Sequence, residues 1–220
     1  DKYSQSYCIH SNNYDEYTKV KNINLTGGNY ISEANKEVFQ KGDKVAILSA
    51  NMPQWGITQF AIAEIGAIAV PILPGFSTTE IRNILEHAEV KMIFVSKLLY
   101  KLVAEIQTDF LEQKILINNF ARIPDNFPAE QLQELTNTID LTQHIPLNPV
   151  QVDEKDIASI IYTSGTTGFS KGVVLTHRNL VWDAHQCTTI QPVNSADRFL
   201  SILPLAHTAP QISPFSLVIR

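Results

Sequence analysis

From Lys44 onward, short apolar runs of strand length alternate with helix-length segments whose apolar residues recur at three- and four-residue spacing. KVAIL, 44–48, is apolar after its lysine and predicts a strand buried on both faces. PQWGITQFAIAEIGAIA, 53–69, opens on a proline suited to a first helical turn and is apolar on most faces, so it predicts a well-buried helix. AVPIL, 69–73, follows as a strand. In STTEIRNILEHAEV, 77–90, a capping-type serine or threonine precedes Glu80, and Ile81, Ile84, Leu85 and Ala88 fall on one helical face. KMIFV, 91–95, predicts a third strand, KLLYKLVAEI, 97–106, another helix, and KILI, 114–117, a fourth strand. The order βαβαβαβ predicts an α/β sublobe with parallel strands, because parallel neighbours need a crossover between them.

The pattern changes over residues 118–155, where Pro124, Pro128, Pro146 and Pro149 punctuate a polar run and only QLQELTNTI, 131–139, has helical character. Strands resume with ASIIYT, 158–163, and GVVLTH, 172–177, followed by a helix at RNLVWDAHQC, 178–187, and a strand at RFLSIL, 198–203. The expected organisation is a first sublobe over 1–117, a connection over 118–155, and the start of a second sublobe over 156–220. The first forty residues show little periodicity beyond a turn at NLTGGNY, 24–30.

Composition narrows the classes. Apolar residues make up 44% of the 220, enough for a sizeable core, while 17 basic against 22 acidic residues leave a formal charge of -5. That balance excludes a nucleic-acid binder by charge, and the scattered lysines offer no landing patch for an anionic membrane. The longest apolar stretch, FAIAEIGAIAVPIL, is broken by Glu64 and Pro71 and falls short of the roughly 20 residues a spanning helix needs. DKYSQSYCIH has no apolar core of a secretion signal. Cys8 and Cys187 lie far apart without ligand spacing, which predicts free thiols and a reducing, cytoplasmic location. His87, His144 and His185 carry no spacing that suggests a metal, and no protein metal site is predicted.

One stretch carries chemistry. YTSGTTGFSKG, 162–172, joins two predicted strands and combines glycines at 165, 168 and 172 with small hydroxyls and a single lysine. Glycine permits positive φ and lets consecutive N–H groups converge on an anionic oxygen; Thr163, Ser164, Thr166 and Thr167 add donors, and Lys171 adds charge. Phosphate oxygens, charged and satisfied by several donors at once, suit that composition better than a lone carboxylate does. A bare GTTG is ordinary turn composition; the eleven residues together with the lysine are not. The stretch also fails as a Walker loop. Counting from Gly165, the second glycine position holds Ser170, the residue after Lys171 is Gly172, and a strand follows where a helix should.

YTSGTTGFSKGVVLTHRNL, 162–180, resembles the phosphate-loop signature of the AMP-forming adenylating superfamily, which includes acyl-CoA synthetases, firefly-type luciferases and peptide-synthetase adenylation domains. TSGTTG, Lys171, Gly172, His177 and Asn179 match, with Ser170 in place of the usual proline, which predicts a softer loop. KGDKVAILSANMPQWGITQF and its continuation upstream, and DRFLSILPLAHT downstream, agree in order and approximate spacing, most closely with long-chain fatty acid CoA ligases. After His207 the chain reads TAPQISPFSLVIR, where those ligases continue with an aromatic and an acidic residue.

The resemblance implies the first part of a large N-terminal α/β domain. It also implies two half-reactions: ATP-dependent conversion of a carboxylic acid, a fatty acid by subfamily, to acyl-AMP, then transfer to the thiol of CoA. ATP, Mg²⁺ and CoA are the implied cofactors, and a small carboxylate is the implied partner. By carry-over, Thr163, Ser164, Gly165, Thr166, Thr167, Gly168 and Lys171 hold the β- and γ-phosphates, with a threonine hydroxyl reaching the metal. His207 occupies a position between the nucleotide and acyl pockets. The family's adenine, ribose, hinge and C-terminal lysine elements lie beyond this stretch, so the 220 residues alone are expected not to form acyl-AMP. Two other readings stand beside this one: a non-catalytic relative that binds nucleotide or a partner, and an adenylation domain that loads a carrier protein.

Single residues have plainer readings. Outside the family context His207 reads as a packing or capping histidine. His177 and Asn179 are expected to cap the following helix, Trp55 and Trp182 to be core or helix-packing aromatics, and Asp43 to serve the turn before the first strand.

Overall fold

Near-continuous apolar runs in five parallel strands account for most of the architecture in the computed structural model, which describes residues 40–135, 150–163, 171–190 and 203–207. The elements are β1 (Lys44–Leu48), α1 (Pro53–Glu64), β2 (Ile68–Ile72), α2 (Thr78–His87), β3 (Val90–Val95), β4 (Gln113–Leu116), β5 (Ala121–Ile123), β6 (Ile157–Thr163), β7 (Lys171–Thr176) and α3 (His177–Ile190). They form one seven-stranded sheet in the order β5-β4-β3-β1-β2-β6-β7. The pairs within β4-β3-β1-β2-β6 are parallel, and β5 and β7 close the two edges antiparallel. The expected α/β class is thus observed.

The chain steps from β1 outward to β2, then crosses back to β3 on the other side of β1. Right-handed crossovers in opposite directions put their helices on opposite faces. One core layer accordingly joins Ala46, Leu48, Val70 and Ile72 to Ile81, Ile84 and Leu85 of α2. The other joins Val45, Ile47, Ala69 and Phe94 to Trp55, Ala61 and Ile62 of α1. Trp55 is core, as its apolar neighbours predict, whereas Trp182 is 60% exposed on α3, contrary to expectation. Helix α3 buries Leu180 and Ala184 against Ala158, and Trp182 lies off that stripe.

Several boundaries differ from the expected ones for identifiable reasons. The helix expected over 53–69 stops at Glu64 because Gly66 takes φ +69 and a Schellman pair closes the end: Gly66 N–H to Ala63 C=O, 3.1 Å, and Ala67 N–H to Ile62 C=O, 3.1 Å. The helix expected over 97–106 is a short 3-10 turn at Tyr100–Leu102 within a run of three-residue hydrogen bonds. That period of three brings Tyr100, Val103 and Ile106 to the core together, and the Tyr100 hydroxyl anchors on the Phe127 carbonyl at 3.0 Å. The helical character read at 131–139 is a 3-10 helix at Ala129–Glu134, and its end lies outside the described residues. Edge strand β5 was not expected within the connection.

Helix α2 starts as its sequence predicts, with Ser77 and Glu80 forming a reciprocal capping box. The Glu80 carboxyl is held below its ordinary range by the backbone and hydroxyl bonds from Ser77. At the amino end of the sheet, Asp43 accepts from the Gln40 N–H at 2.7 Å in the expected turn and pairs with Lys91 at 2.9 Å. Lys44 pairs there with Glu89 at 3.0 Å and Lys41 with Asp156 at 2.6 Å. Charge therefore staples the amino end, leaving the carboxyl end to the loops. The turn expected at 24–30 and most of the strand expected at 198–203 lie outside the described residues, and Leu203 itself sits in a bend.

Candidate functional site

In open α/β sheets, ligands bind in the crevice outside the carboxyl ends of the parallel strands, near the point where the direction of strand addition reverses. Here the reversal lies between β1 and β3, and the glycine- and threonine-rich loop leaves the same end of the sheet two strands away from β1, at the tip of β6. Two strand spacings are about 10 Å.

β6 and β7 form the hairpin that carries this loop. Thr163, the last residue of β6, stands directly opposite Lys171, the first of β7, and both are exposed. Directly opposed residues of an antiparallel pair lie about 5 Å apart at Cα and share a face. Ser164, Gly165, Thr166, Thr167 and Gly168 fall within 164–170, outside the described residues, but both ends of their segment are fixed. Lys171 belongs to β7, one residue earlier than the strand was expected to begin.

The base of the hairpin is built to be rigid. Tyr162 is 3% exposed and opposes Gly172, and its hydroxyl hydrogen-bonds the Nδ1 of His87, the last residue of α2, at 2.6 Å. The His87 ring meets the Tyr162 ring edge-on. Burial pushes the Tyr162 phenol up, so it stays protonated and available to that bond. A Cβ at Gly172 would lie 3.1 Å from Ile160 Cγ2 and 3.3 Å from Tyr162 Cζ, which explains glycine there by close approach. Tyr162 packs in the α2 layer, so Thr163 and Lys171, one position on, project to the α1 side.

His207 lies at the end of the described segment 203–207 and is exposed. Its N–H closes a turn on the Pro204 carbonyl at 2.9 Å, Ala206 is 1% exposed, and Leu205 packs against the α1-side layer. Asn51, just beyond β1, holds this segment: its Nδ2 donates to the Leu203 carbonyl and its Oδ1 accepts from the Leu205 N–H, each at 2.8 Å. The structure thus brings the segment of His207 and the loop ends Thr163 and Lys171 to one end and one side of the sheet. Neither Asn51 nor the His87–Tyr162 contact was anticipated. An asparagine after a strand reads as a helix cap, and nothing in the text joins position 51 to 203 or 87 to 162.

His177 and Asn179 divide. Asn179 completes a reciprocal cap with Thr176: its Oδ1 accepts from the Thr176 N–H at 3.0 Å, and its own N–H donates to Thr176 Oγ1 at 3.2 Å. His177 is not a cap; it is 7% exposed, and its N–H donates to the Asp156 carbonyl at 3.1 Å. Burial pushes its imidazole below the ordinary value, opposed by the charge of Asp156. It lies at the far end of β7 from Lys171, away from the loop. Among the described residues no group of three or more His, Cys, Asp and Glu side chains is arranged to hold a metal.

The profile of the AMP-binding enzyme family matches residues 35–219. The chain belongs to the AMP-binding enzymes. Among curated members, the crotonobetaine/carnitine–CoA ligase of Citrobacter koseri is 31% identical over 198 residues, covering 88% of this chain and 35% of its own. The long-chain-fatty-acid–CoA ligase of Bacillus subtilis is 31% identical over 190 residues, covering 77% and 34%. This AMP-binding chain therefore spans about a third of the length of the curated relatives it matches. A crystal structure of a long-chain-fatty-acid-CoA ligase from Archaeoglobus fulgidus superposes with a TM-score of 0.72 at 24% identity, over 92% of this chain and 38% of that one. That likeness is one of fold.

Proposed function

We propose that the protein to which these residues belong activates a carboxylic acid with ATP and passes the acyl group to CoA. A carboxylate oxygen attacks the α-phosphorus, the bond to the β-phosphate bridging oxygen breaks, and pyrophosphate leaves with its electron pair. The CoA thiolate then attacks the acyl carbon of the mixed anhydride and AMP departs. The observation that carries this reading is the hairpin, in which Thr163 and Lys171 are held opposite each other at the two ends of the glycine- and threonine-rich segment, in a member of the AMP-binding family.

The chemistry needs donors where charge develops, on the leaving pyrophosphate. The Lys171 ammonium and the Thr163 hydroxyl, carried on a braced hairpin, supply them without reorganisation at the moment of reaction. In this reading Thr163, Ser164, Gly165, Thr166, Thr167, Gly168 and Lys171 bind the β- and γ-phosphates, and His207 stands at the junction of the nucleotide and acyl pockets, where it meets the acyl group. A fatty acid is the substrate class of this reading, by likeness to the long-chain-fatty-acid–CoA ligases among the relatives. Mg²⁺ would enter with the nucleotide and offset the charge of its phosphates. In this reading 118–155 connects two sublobes that share the sheet, with β5 of the connection forming one of its edges. A cytoplasmic location fits the exposed free thiol of Cys187, and among the described residues no helix is long and apolar enough to cross a membrane.

The test is carboxylate-dependent ATP–pyrophosphate exchange by the full-length protein, run with acids of increasing chain length and repeated for Lys171→Ala. Exchange in the wild type, reduced by about 10²–10³ in the variant, is the expected result. Absence of exchange with every acid would overturn the activity, and unchanged turnover in the variant would remove Lys171 from the site. Thiol-transfer assays with CoA and with a carrier protein separate the acceptor.

A further inference from the structure

We propose that Asn51 is a positioning residue for His207, its carboxamide bridging Leu203 and Leu205 and so setting the backbone of 203–205 at the carboxyl end of β1. This rests on the reading above that His207 faces the acyl substrate.

The geometry is specific. One planar amide donates to the carbonyl of Leu203 and accepts from the N–H of Leu205, both at 2.8 Å. The carbonyl of Leu203 and the N–H of Leu205 bracket Pro204 at the start of a turn, and asparagine carries the complementary donor and acceptor in a single side chain. The bonds span 152 and 154 positions of sequence, so no local turn produces them.

The location adds to this. Asn51 stands where β1 ends, beside the reversal of strand order that opens a crevice in such sheets. It also precedes α1, where an asparagine would serve well as a cap. Instead Met52 occupies the cap position and makes no side-chain bond to the helix, while the Asn51 amide is turned onto a distant segment. With Leu205 on the α1-side layer, Ala206 buried and the His207 N–H closing its turn on Pro204, the amide completes a four-point hold on five residues. His207 emerges from that hold exposed, so its direction follows from the backbone that Asn51 sets.

The experiment uses the full-length protein with Asn51→Ala, Asn51→Asp, His207→Ala and the Asn51→Ala/His207→Ala double variant. Carboxylate and ATP are varied separately in the exchange assay, and thermal unfolding is followed alongside. Asn51→Ala should lower kcat/KM for the carboxylate about tenfold or more while the KM for ATP stays within about twofold, because a displaced His207 affects one pocket. In the His207→Ala background the same change should cost less than about threefold, since residues acting through one another are not additive. Asn51→Asp keeps the acceptor for Leu205 but sets a carboxylate against the Leu203 carbonyl, so it should be impaired at least as much as the alanine variant. It also supplies an independent reading if the alanine variant unfolds. Equal losses in both backgrounds, or parallel losses toward carboxylate and ATP, would reduce Asn51 to a general structural role and overturn the proposal. Full activity of Asn51→Ala beside an impaired His207→Ala would overturn the positioning role alone. Full activity of His207→Ala would instead remove the reading of His207, and the positioning role with it.

Discussion

The two sides of β2 differ in how they are secured. Toward β1 the ladder runs from Lys44 opposite Ile68 to Leu48 opposite Ile72, and nearly every side chain in β1 and β2 is shut away from solvent. Toward β6 the register is a single pair, Ala69 opposite Ser159, and two residues further on Pro71 has no N–H to donate. Beyond β6 the sheet opens: Val173 and Val174 of β7 are 47% and 53% exposed. The β1–β4 region is a scaffold whose hydrophobic layers fix strand positions. The β6–β7 hairpin is lightly covered and takes its order from a few specific contacts, Tyr162 with His87 and Gly172 under the Tyr162 ring. Elements that present a ligand loop beyond the sheet need such local bracing, because the core reaches only the base of the hairpin, at Tyr162 and Ile160.

The contrast can be broken from either side. Ile47→Ala, which empties a fully buried site in β1, should cost about 2–5 kcal/mol in urea unfolding, whereas Val174→Ala in β7 should cost less than about 0.5 kcal/mol. Comparable losses at the two positions would abolish the distinction. Gly172→Ala forces a methyl against Ile160 and Tyr162, and about 1–3 kcal/mol of strain is expected from such crowding. The loss should be accompanied by faster hydrogen exchange in β6 and β7, with β1 and β3 unaffected; uniform acceleration would argue against a separately braced hairpin.

Smaller effects sharpen the same comparison. Ser77→Ala removes the cap of α2 and should cost about 1 kcal/mol. Because the Glu80 pKa is lowered in the folded state, its contribution is present above the ordinary carboxylate range and is lost as pH falls through the lowered value. The difference between wild type and Ser77→Ala should therefore narrow on acidification, as read from denaturation at successive pH values. His177 has the same sign for a different reason. Its folded pKa lies below the ordinary 6.5, so the unfolded chain binds the proton first and stability declines as pH falls from about 6.5 toward the lowered value. His177→Gln should flatten that part of the pH profile, and an unchanged slope would assign it to another group.

Periodicity alone was enough for β1, α2, β3 and the capped start of α2, because each has an apolar pattern matched by local capping or turn chemistry. It misjudged KLLYKLVAEI, where a three-residue and a 3.6-residue repeat are indistinguishable over ten positions and the core selected the former. The candidate loop was legible from composition, since glycine, small hydroxyls and lysine announce phosphate chemistry wherever they occur together. Its support was not legible: no local pattern joins His87 to Tyr162 or Asn51 to 203–205.

The amino-acid order by itself determined the α/β class, most strand and helix cores, and the residues fit to meet a phosphate, because these depend on properties of residues and near neighbours. Tertiary structure alone decided that β6 lies beside β2, that Thr163 stands opposite Lys171, and that Asn51 grips a segment more than 150 positions away. Those outcomes come from the pairing of distant hydrogen-bonding groups once the hydrophobic layers have set the strands in order, and distance along the chain carries no record of them.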